Sequence, residues 1–201
     1  MAEATLQLGS IGRVADCDLV ARACAGQTEC FEELVNRYQR PIVSYVFRIV
    51  NNYEAALDVT QEVFIKVYNS LDKYSDAYKF STWLYRIAHN AAIDHLRRNN
   101  VSLQSIETEN ADGSFQFQLE SDRPNPEQDR ELSEWRDEID SVVRCLPAAY
   151  RDLIVLRHGQ DLSYDEIAEV TSLPLGTVKN RLFRAREMMR NIFIERGFTG
   201  V

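Results

Sequence analysis

Apolar residues recur at helical spacing through most of this 201-residue chain. Phe31, Leu34, Val35 and Tyr38 follow one another at steps of three and four, which places them on one side of a helix. Before residue 100 this spacing predicts four helices around one core, at residues 17–25, 29–50, 54–71 and 80–98. Only a brief stretch at 114–120 alternates apolar and polar residues as a strand would.

Two residues affect the shape of the second predicted helix. Thr28 can cap its first turn, because a threonine hydroxyl accepts a hydrogen bond from a backbone N–H there. Pro41 is expected to bend or interrupt the helix, since proline lacks a backbone N–H and its ring clashes with the preceding turn. Gly26 is expected to end the first helix.

Residues 100–128 differ in composition from both flanking regions. They are polar and acidic, with one glycine and two prolines. Such a segment cannot bury enough apolar surface to offset the entropy of ordering, so we predict a flexible linker. Helical spacing resumes at about 129–143 and again at 147–157, where Pro147 suits a first helical turn.

The segment at 163–190, SYDEIAEVTSLPLGTVKNRLFRAREMMR, is the most specific signal in the chain. Ser163 followed by Glu166 predicts a capping box, in which each side chain accepts a hydrogen bond from the backbone N–H of the other residue. The TSLP sequence then ends a short helix, and Pro174 permits a new one. A short helix, a tight turn and a longer basic helix are typical of a helix-turn-helix.

The second helix of this motif has two distinct faces. Its apolar positions, which predict contact with the core, are Val178, Leu182, Ala185 and Met189. Its outer positions carry the cations Lys179, Arg181, Arg184, Arg186 and Arg190. Such a helix can enter the major groove of duplex DNA while its flanking cations neutralise phosphates. A solvated basic face on an ordinary packing helix remains the alternative.

Charge is distributed unevenly along the chain. The net charge of −8 argues at first against nucleic-acid binding. Residues 104–140, however, contain twelve acidic residues and three arginines, so the acidity is local. Residues 174–196 contain six basic and two acidic residues. The asymmetry therefore allows the C-terminal helix to bind an anionic partner.

Cysteine spacing argues against a zinc site, and hydropathy argues against a membrane protein. The four cysteines are Cys17, Cys24, Cys30 and Cys145. They form no C-x-x-C pair, so a zinc site is weakly supported and we predict buried, reduced packing residues. No run approaches the roughly 20 apolar residues of a membrane span. The N-terminus also lacks a signal-peptide pattern, so we expect a cytoplasmic protein without membrane insertion.

Two blocks of the chain resemble regions of a known family. LPAAYRDLIVLRHGQDLSYDEIAEVTSLPLGTVKNRLFRARE resembles region four of bacterial sigma factors. DVTQEVFIKVYNSLDKY followed by FSTWLYRIAHNAAIDHLRR resembles region two. The short chain, with only a linker between the blocks, is similar to the extracytoplasmic-function group, which is group four of the sigma-70 family. One departure is Ser172, at the turn of the helix-turn-helix, where many members have glycine. A left-handed backbone at that turn is costlier for serine than for glycine.

The resemblance and the helical spacing predict the same architecture. We expect an all-α chain of two small helical domains joined by an acidic flexible linker, with the helix-turn-helix in the C-terminal domain. The expected boundaries are an N-terminal tail at 1–14, region two at 15–99, the linker at 100–128 and region four at 129–201.

The resemblance also implies roles for individual residues. Those matching contacts to the minus-thirty-five duplex are Thr177, Lys179, Asn180, Arg181, Phe183, Arg184 and Arg186. Those matching contacts to the melted minus-ten strand are Lys66, Tyr74, Lys79, Trp83, Tyr85, Arg86 and Asn90. Those matching the surface that docks on core RNA polymerase are Asp58, Gln61, Glu62, Phe64 and Ile65. From the residues alone, a solvated acidic face remains an alternative for this last set.

The implied partners are promoter DNA, an anti-sigma factor and core RNA polymerase, the last through the clamp coiled coil of its beta-prime subunit and through its beta flap. No cofactor, metal or catalytic residue is implied. A conventional helix-turn-helix regulator remains possible, although it leaves the DVTQEVF and FSTWLYRIA blocks unexplained. A metal enzyme using His89, Asp94 and His95 is disfavoured, because these spacings point the side chains apart on a helix.

Overall fold

The computed structural model describes residues 14–103 and 126–198, and all regular structure within them is helical. The α-helices are α1 (Asp16–Cys24), α2 (Thr28–Val50), α3 (Tyr53–Asn69), α4 (Phe80–Leu103), α5 (Pro126–Cys145), α6 (Ala148–Ile154), α7 (Tyr164–Thr171) and α8 (Leu175–Glu195). A 3-10 turn at Leu71–Lys73 follows α3, and a π-helical turn at Val155–Gly159 continues α6. The predicted all-α class is confirmed.

The described residues form two compact units: residues 14–100 with 169–172, and residues 101–103 and 126–168 with 173–198. In the first unit α2 packs against both α1 and α3. Its fully buried side chains include Leu19, Leu34, Ile42, Tyr45 and Leu84. In the second unit α8 packs against α5 and α6. Its fully buried side chains include Leu146, Leu153, Leu156, Ile167 and Leu182.

The structure differs from the expectations for α2 in its cap and in the absence of an interruption at Pro41. Gln27, rather than Thr28, occupies the N-cap position, and no side chain caps the helix. The helix also continues through Pro41 without interruption. A proline inside a helix costs about 3 kcal/mol. Burial of apolar side chains immediately after it, beginning with Ile42 and Val43, offsets that cost.

The helices on either side of the predicted linker are longer than expected. α4 continues past residue 98 to Leu103, and α5 begins at Pro126 rather than near residue 129. Pro126 stands in the first helical turn, where its missing N–H would have no partner in any case. The rest of the predicted linker, with the strand-like stretch at 114–120, lies outside the described residues, as does the tail up to residue 13.

The burial predicted for the cysteines is wrong for three of the four. Cys30 is buried, whereas Cys17, Cys24 and Cys145 are exposed, and all four are free thiols. The short helix α1 buries only Leu19 and Val20, so its two cysteines remain at the surface.

Among the described helices, none combines the length and the hydropathy that crossing a bilayer requires.

Candidate nucleic-acid interface

The helix-turn-helix forms where the sequence predicts it. The Ser163 backbone N–H donates to Glu166 Oε2 at 2.8 Å, and the Glu166 N–H donates to Ser163 Oγ at 3.2 Å, which confirms the capping box. Ser172 in the turn has a φ of 55°, the left-handed conformation expected from the family's glycine. Pro174 then occupies the N-cap position of α8.

α8 separates its apolar and polar side chains as predicted. Val178, Leu182 and Ala185 are buried, and Met189 is partly buried. The opposite face exposes Lys179, Asn180, Phe183, Arg184 and Arg186, while Thr177 and Arg181 are partly exposed. Phe183 leaves 64% of its surface accessible. The exposed face therefore presents cations, an amide and an aromatic ring to solvent together.

Four of the predicted duplex contacts line one open groove of about 460 Å³ on the second unit. They are Thr177, Asn180, Arg181 and Arg184. Gly176 and Tyr150 complete the lining. Sequence reasoning missed Tyr150, which belongs to α6 and stands 27 residues before Thr177 in the chain. No spacing rule within α8 could have identified it, because packing of α6 on α8 brings it to the groove.

The other flank of α8 carries a second basic cluster. Arg186 donates a hydrogen bond to the Tyr164 hydroxyl at 3.2 Å, and the Arg157 guanidinium lies 5.6 Å from the centre of the Tyr164 ring. Nearby His158 has much of its surface in solvent. The loss of solvent around the rest of its ring, followed by the charges of Arg186 and Arg157, lowers its pKa. Tyr164 thus contacts both Arg186 of the recognition helix and Arg157 of the π-helical turn.

An aromatic cluster in the first unit brings together one loop side chain, Tyr74, and two side chains from the start of α4, Phe80 and Trp83. The Tyr74 ring lies 5.7 Å from Phe80 and 5.6 Å from Trp83, and the last two rings are 5.9 Å apart. The Tyr74 hydroxyl also donates to the Tyr78 backbone carbonyl at 2.8 Å, which fixes the intervening loop. Trp83 and Tyr74 remain partly exposed, whereas Phe80 is buried beneath them.

A polar network supports this cluster from below. Tyr38 lies edge-on to Phe80, with ring centres 5.6 Å apart, and its hydroxyl donates to Asp16. Arg37 donates to Asp16 Oδ1 at 2.8 Å, to the Val14 carbonyl at 2.8 Å and to Glu33 at 2.9 Å. Burial, followed by the contact with Asp16, raises the pKa of Tyr38. The start of α1 is thereby fixed to α2 next to the aromatic cluster.

The outer face of α4 continues from the cluster. Trp83, Arg86 and Asn90 follow one another at steps of three and four and share one side of the helix. Arg86 and Asn90 are exposed, and so are Lys66 and Lys79. Arg86 and Asn90 therefore provide a cation and an amide on the same side of α4 as Trp83.

Tyr85 does not belong to this surface, which corrects the prediction. It stands about 160° around α4 from Trp83 and leaves only 3% of its surface accessible. Its ring packs edge-on against Tyr45 at 5.2 Å, and burial raises its pKa. The helical period alone could have separated Tyr85 from Trp83.

The predicted polymerase-docking face lies on α3. Asp58, Gln61, Glu62 and Ile65 are exposed within one arc of the helix, and Ile65 leaves 61% of its surface accessible. Phe64 is buried, so it supports this face from beneath instead of forming it. Tyr68, three residues after Ile65, is 56% exposed and extends the face. The sequence reasoning missed Tyr68, although its helical spacing from Ile65 was visible.

The histidines of the rejected metal site have other surroundings. His89 Nδ1 lies 3.4 Å from the Tyr45 hydroxyl, next to the aromatic core. Asp94 lies 3.8 Å from the Arg97 guanidinium. Among the described residues, no three His, Cys, Asp or Glu side chains gather as they would around a metal ion.

Comparison with known proteins identifies both halves. Residues 34–101 match the family model Sigma-70 region 2, and residues 136–189 match Sigma-70, region 4. The sequence is 38% identical to the ECF RNA polymerase sigma-E factor of Escherichia coli (strain K12), over 89% of this chain and 94% of that protein. It is 35% identical to the ECF RNA polymerase sigma factor SigW of Bacillus subtilis (strain 168), over 82% and 89% of the two chains.

Solved structures share the fold. CnrH in complex with the cytosolic domain of CnrY aligns with a TM-score of 0.64 at 24% identity, covering 90% of this chain and 99% of that one. The sigma factor RpoE in complex with the anti-sigma factor NepR from Bartonella quintana aligns with a TM-score of 0.63 at 19% identity, covering 81% and 96%.

Proposed function

Because this chain belongs to the extracytoplasmic-function family of RNA polymerase sigma factors, it directs transcription initiation, and we propose how its surfaces divide that task. The second unit reads the minus-thirty-five duplex, and the first captures the melted minus-ten strand. Neither role forms or breaks a covalent bond, so the protein acts without a catalytic residue. Because it acts together with RNA polymerase, its place of action is the cytoplasm. The exposed face of α8 is the observation that carries the proposal.

Duplex reading follows from the chemistry of α8. Asn180 and Arg184 project from its outer side, where an amide and a guanidinium can form paired hydrogen bonds with base edges in the major groove. Arg181 and Arg186 stand on the two flanks, where they neutralise phosphates and position the helix. Lys179, Thr177 and Phe183 complete the contact surface.

Strand capture follows from the aromatic cluster and the outer face of α4. An unpaired base can stack on an exposed aromatic ring, which contributes about 1–3 kcal/mol per base. Trp83 and Tyr74 offer such rings, and their mutual packing holds them in place before DNA arrives. Arg86, Lys79 and Lys66 are placed to attract the strand's phosphates.

Docking on core RNA polymerase uses the exposed face of α3. Acidic and amide groups surround Ile65, a composition that suits the basic, partly apolar surface expected of the beta-prime clamp coiled coil. Glu62 lies 3.9 Å from Arg98, an exposed pair that a partner can replace at low cost. Tyr68 extends the apolar part of this face.

The second unit has an apolar surface suited to the beta flap. Trp135 and Ile139 of α5 are 48% and 41% exposed, and Ile194 near the end of α8 is 54% exposed. Trp135 packs on Phe198 at 5.3 Å, which holds its ring in place. Arg196 donates to Glu138 at 2.7 Å and fixes the end of α8 to α5. We also propose an anti-sigma partner, because RpoE, a sigma factor of similar fold, was determined in complex with the anti-sigma factor NepR.

Transcription with purified components tests the proposal. The protein is mixed with core RNA polymerase and a library of promoter fragments, and run-off transcripts are sequenced. Transcription that requires both components is expected. Retained duplex binding without binding to core polymerase would instead indicate a conventional helix-turn-helix regulator.

A matched pair of variants tests the docking face. Ile65→Lys is expected to weaken association with core polymerase, because it places a cation where an apolar contact is proposed. Gln39→Lys introduces the same charge at an exposed position of α2 and serves as the control. Equal core affinity of the two variants in a competition assay would rule out docking through Ile65.

A further inference from the structure

Tyr150 shares a groove with the residues proposed to read the duplex, although nothing in the sequence assigns it a role. Thr177, Asn180, Arg181 and Arg184 form most of that lining. All four belong to α8, whereas Tyr150 comes from α6 and is partly exposed. It is therefore the contribution of a second helix to the groove.

The backbone around Tyr150 is held firmly before any partner arrives. Its own N–H donates to the Pro147 carbonyl at 2.9 Å. The next residue, Arg151, donates from Nη2 to the carbonyls of Arg144 and Leu146 at 2.8 and 3.0 Å. Leu153 is fully buried one turn later, and α6 packs against α8. The structure thus keeps Tyr150 at a constant distance from the recognition helix.

The position of Tyr150 relative to α8 indicates what it contacts. Arg181 stands about 100° around the helix from Asn180, on the flank of the outward face. Tyr150 lines the groove together with Arg181. When Asn180 and Arg184 face base edges, this flank faces the sugar-phosphate backbone beside the major groove. A phenol is one of the side-chain groups that donate hydrogen bonds to DNA phosphates.

We propose that Tyr150 is a further duplex-binding residue, whose hydroxyl donates a hydrogen bond to a DNA phosphate next to the one bound by Arg181. The inference rests on the proposed reading of the minus-thirty-five duplex by α8. Tyr150 positions the helix on the backbone and adds affinity without choosing a sequence, because phosphates carry no sequence information.

The proposed contact has a signature that separates it from a cationic one. Each phosphate neutralised by an arginine releases condensed counterions, so the slope of log K against log salt concentration becomes steeper by about one for each cation. A tyrosine is neutral and releases none. Tyr150 should therefore raise affinity equally at all salt concentrations, whereas Arg181 should contribute most at low salt.

The test compares Tyr150→Phe, Arg181→Gln and the wild type as holoenzymes binding duplex fragments. One fragment carries the best minus-thirty-five element and another carries a mismatch in it. Tyr150→Phe keeps the ring and is expected to weaken binding to both fragments by about threefold to tenfold. Its salt slope should stay unchanged, while Arg181→Gln should lower the slope by about one. Tyr53→Phe, in the first unit, is the control and should bind as the wild type does.

Unchanged affinity of Tyr150→Phe, at a wild-type unfolding temperature, would overturn the proposal. So would a loss confined to the best element, because that result indicates base reading. A different variant tests the proposed function itself. If Arg184→Ala leaves promoter selectivity intact, duplex reading by α8 is wrong, whatever the result for Tyr150.

Discussion

The two DNA-handling surfaces of this protein are constructed in different ways. The duplex-reading surface lies on consecutive turns of α8, whose buried positions Val178, Leu182 and Ala185 orient all the others. The strand-capturing surface joins a loop residue, Tyr74, to Phe80 and Trp83 at the start of α4, with Tyr38 of α2 beneath them. One surface lies almost entirely on a single helix, to which α6 adds Tyr150, and the other depends on tertiary packing throughout.

This difference implies different sensitivities to mutation. An outward side chain of α8 can be removed with little effect on folding, because its neighbours on the helix keep their positions. A ring of the aromatic cluster contacts two or three others, so its removal changes both the fold and the proposed strand contact. The following predictions test that distinction, from the largest expected effect to the smallest.

Tyr85→Ala should have the largest effect, because it removes a buried ring beneath the strand-capturing surface. Truncation of a buried aromatic residue costs about 3–5 kcal/mol of unfolding free energy. Denaturant unfolding measures the loss. Tyr85→Phe retains the packing and should preserve promoter opening, so a stable Tyr85→Phe variant that fails to open promoters would restore Tyr85 as a direct strand contact.

Arg37→Gln should have an intermediate effect. It removes the guanidinium that joins α2 to Asp16 of α1 and also pairs with Glu33 within α2, at an expected cost of roughly 1–2 kcal/mol for a partly exposed network. Because Asp16 also accepts from Tyr38, strand capture should weaken while duplex affinity stays unchanged. Arg40→Gln, at an exposed site of the same helix, is the control. An equal effect of both variants on strand binding would show that the network does not support the cluster.

Ser172→Gly should have the smallest effect and the opposite sign. Its φ of 55° is strained for serine, so glycine should raise the unfolding free energy by less than about 1 kcal/mol. Ser44→Gly, inside α2, should lower it by roughly 0.5 kcal/mol, because glycine is a poorer helix former than serine. Thermal unfolding distinguishes the two, and a destabilised Ser172→Gly variant would show that the serine side chain contributes more than the strain costs.

The sequence predicted one surface more accurately than the other for a physical reason. Helical period suffices to orient α8, so its buried and exposed residues were correctly separated. Tyr150 was missed, since no local rule relates it to α8. In the first unit, a list of aromatic and basic residues did not distinguish buried Tyr85 from partly exposed Trp83, although the period of α4 does.

Other differences arise from competition between local preference and packing. Pro41 is expected to break a helix, but the apolar residues that follow it keep α2 continuous. Cysteine is a residue type often found in cores, but Cys17 and Cys24 are exposed. The nine-residue helix α1 buries only Leu19 and Val20. Asp16 and Arg37, whose hydrogen bond supports the aromatic cluster, are 21 positions apart in the chain. A local sequence pattern cannot reveal such a contact.

The division of work between the two surfaces is tested most directly by a crossed binding measurement. Holoenzymes carrying Arg184→Ala or Trp83→Ala are titrated with a minus-thirty-five duplex and with a single-stranded minus-ten oligonucleotide, after unfolding temperatures confirm that both variants fold. We predict that Arg184→Ala loses roughly tenfold or more affinity for the duplex alone, and that Trp83→Ala loses a similar factor for the single strand alone. Equal losses on both probes for either variant would contradict the account.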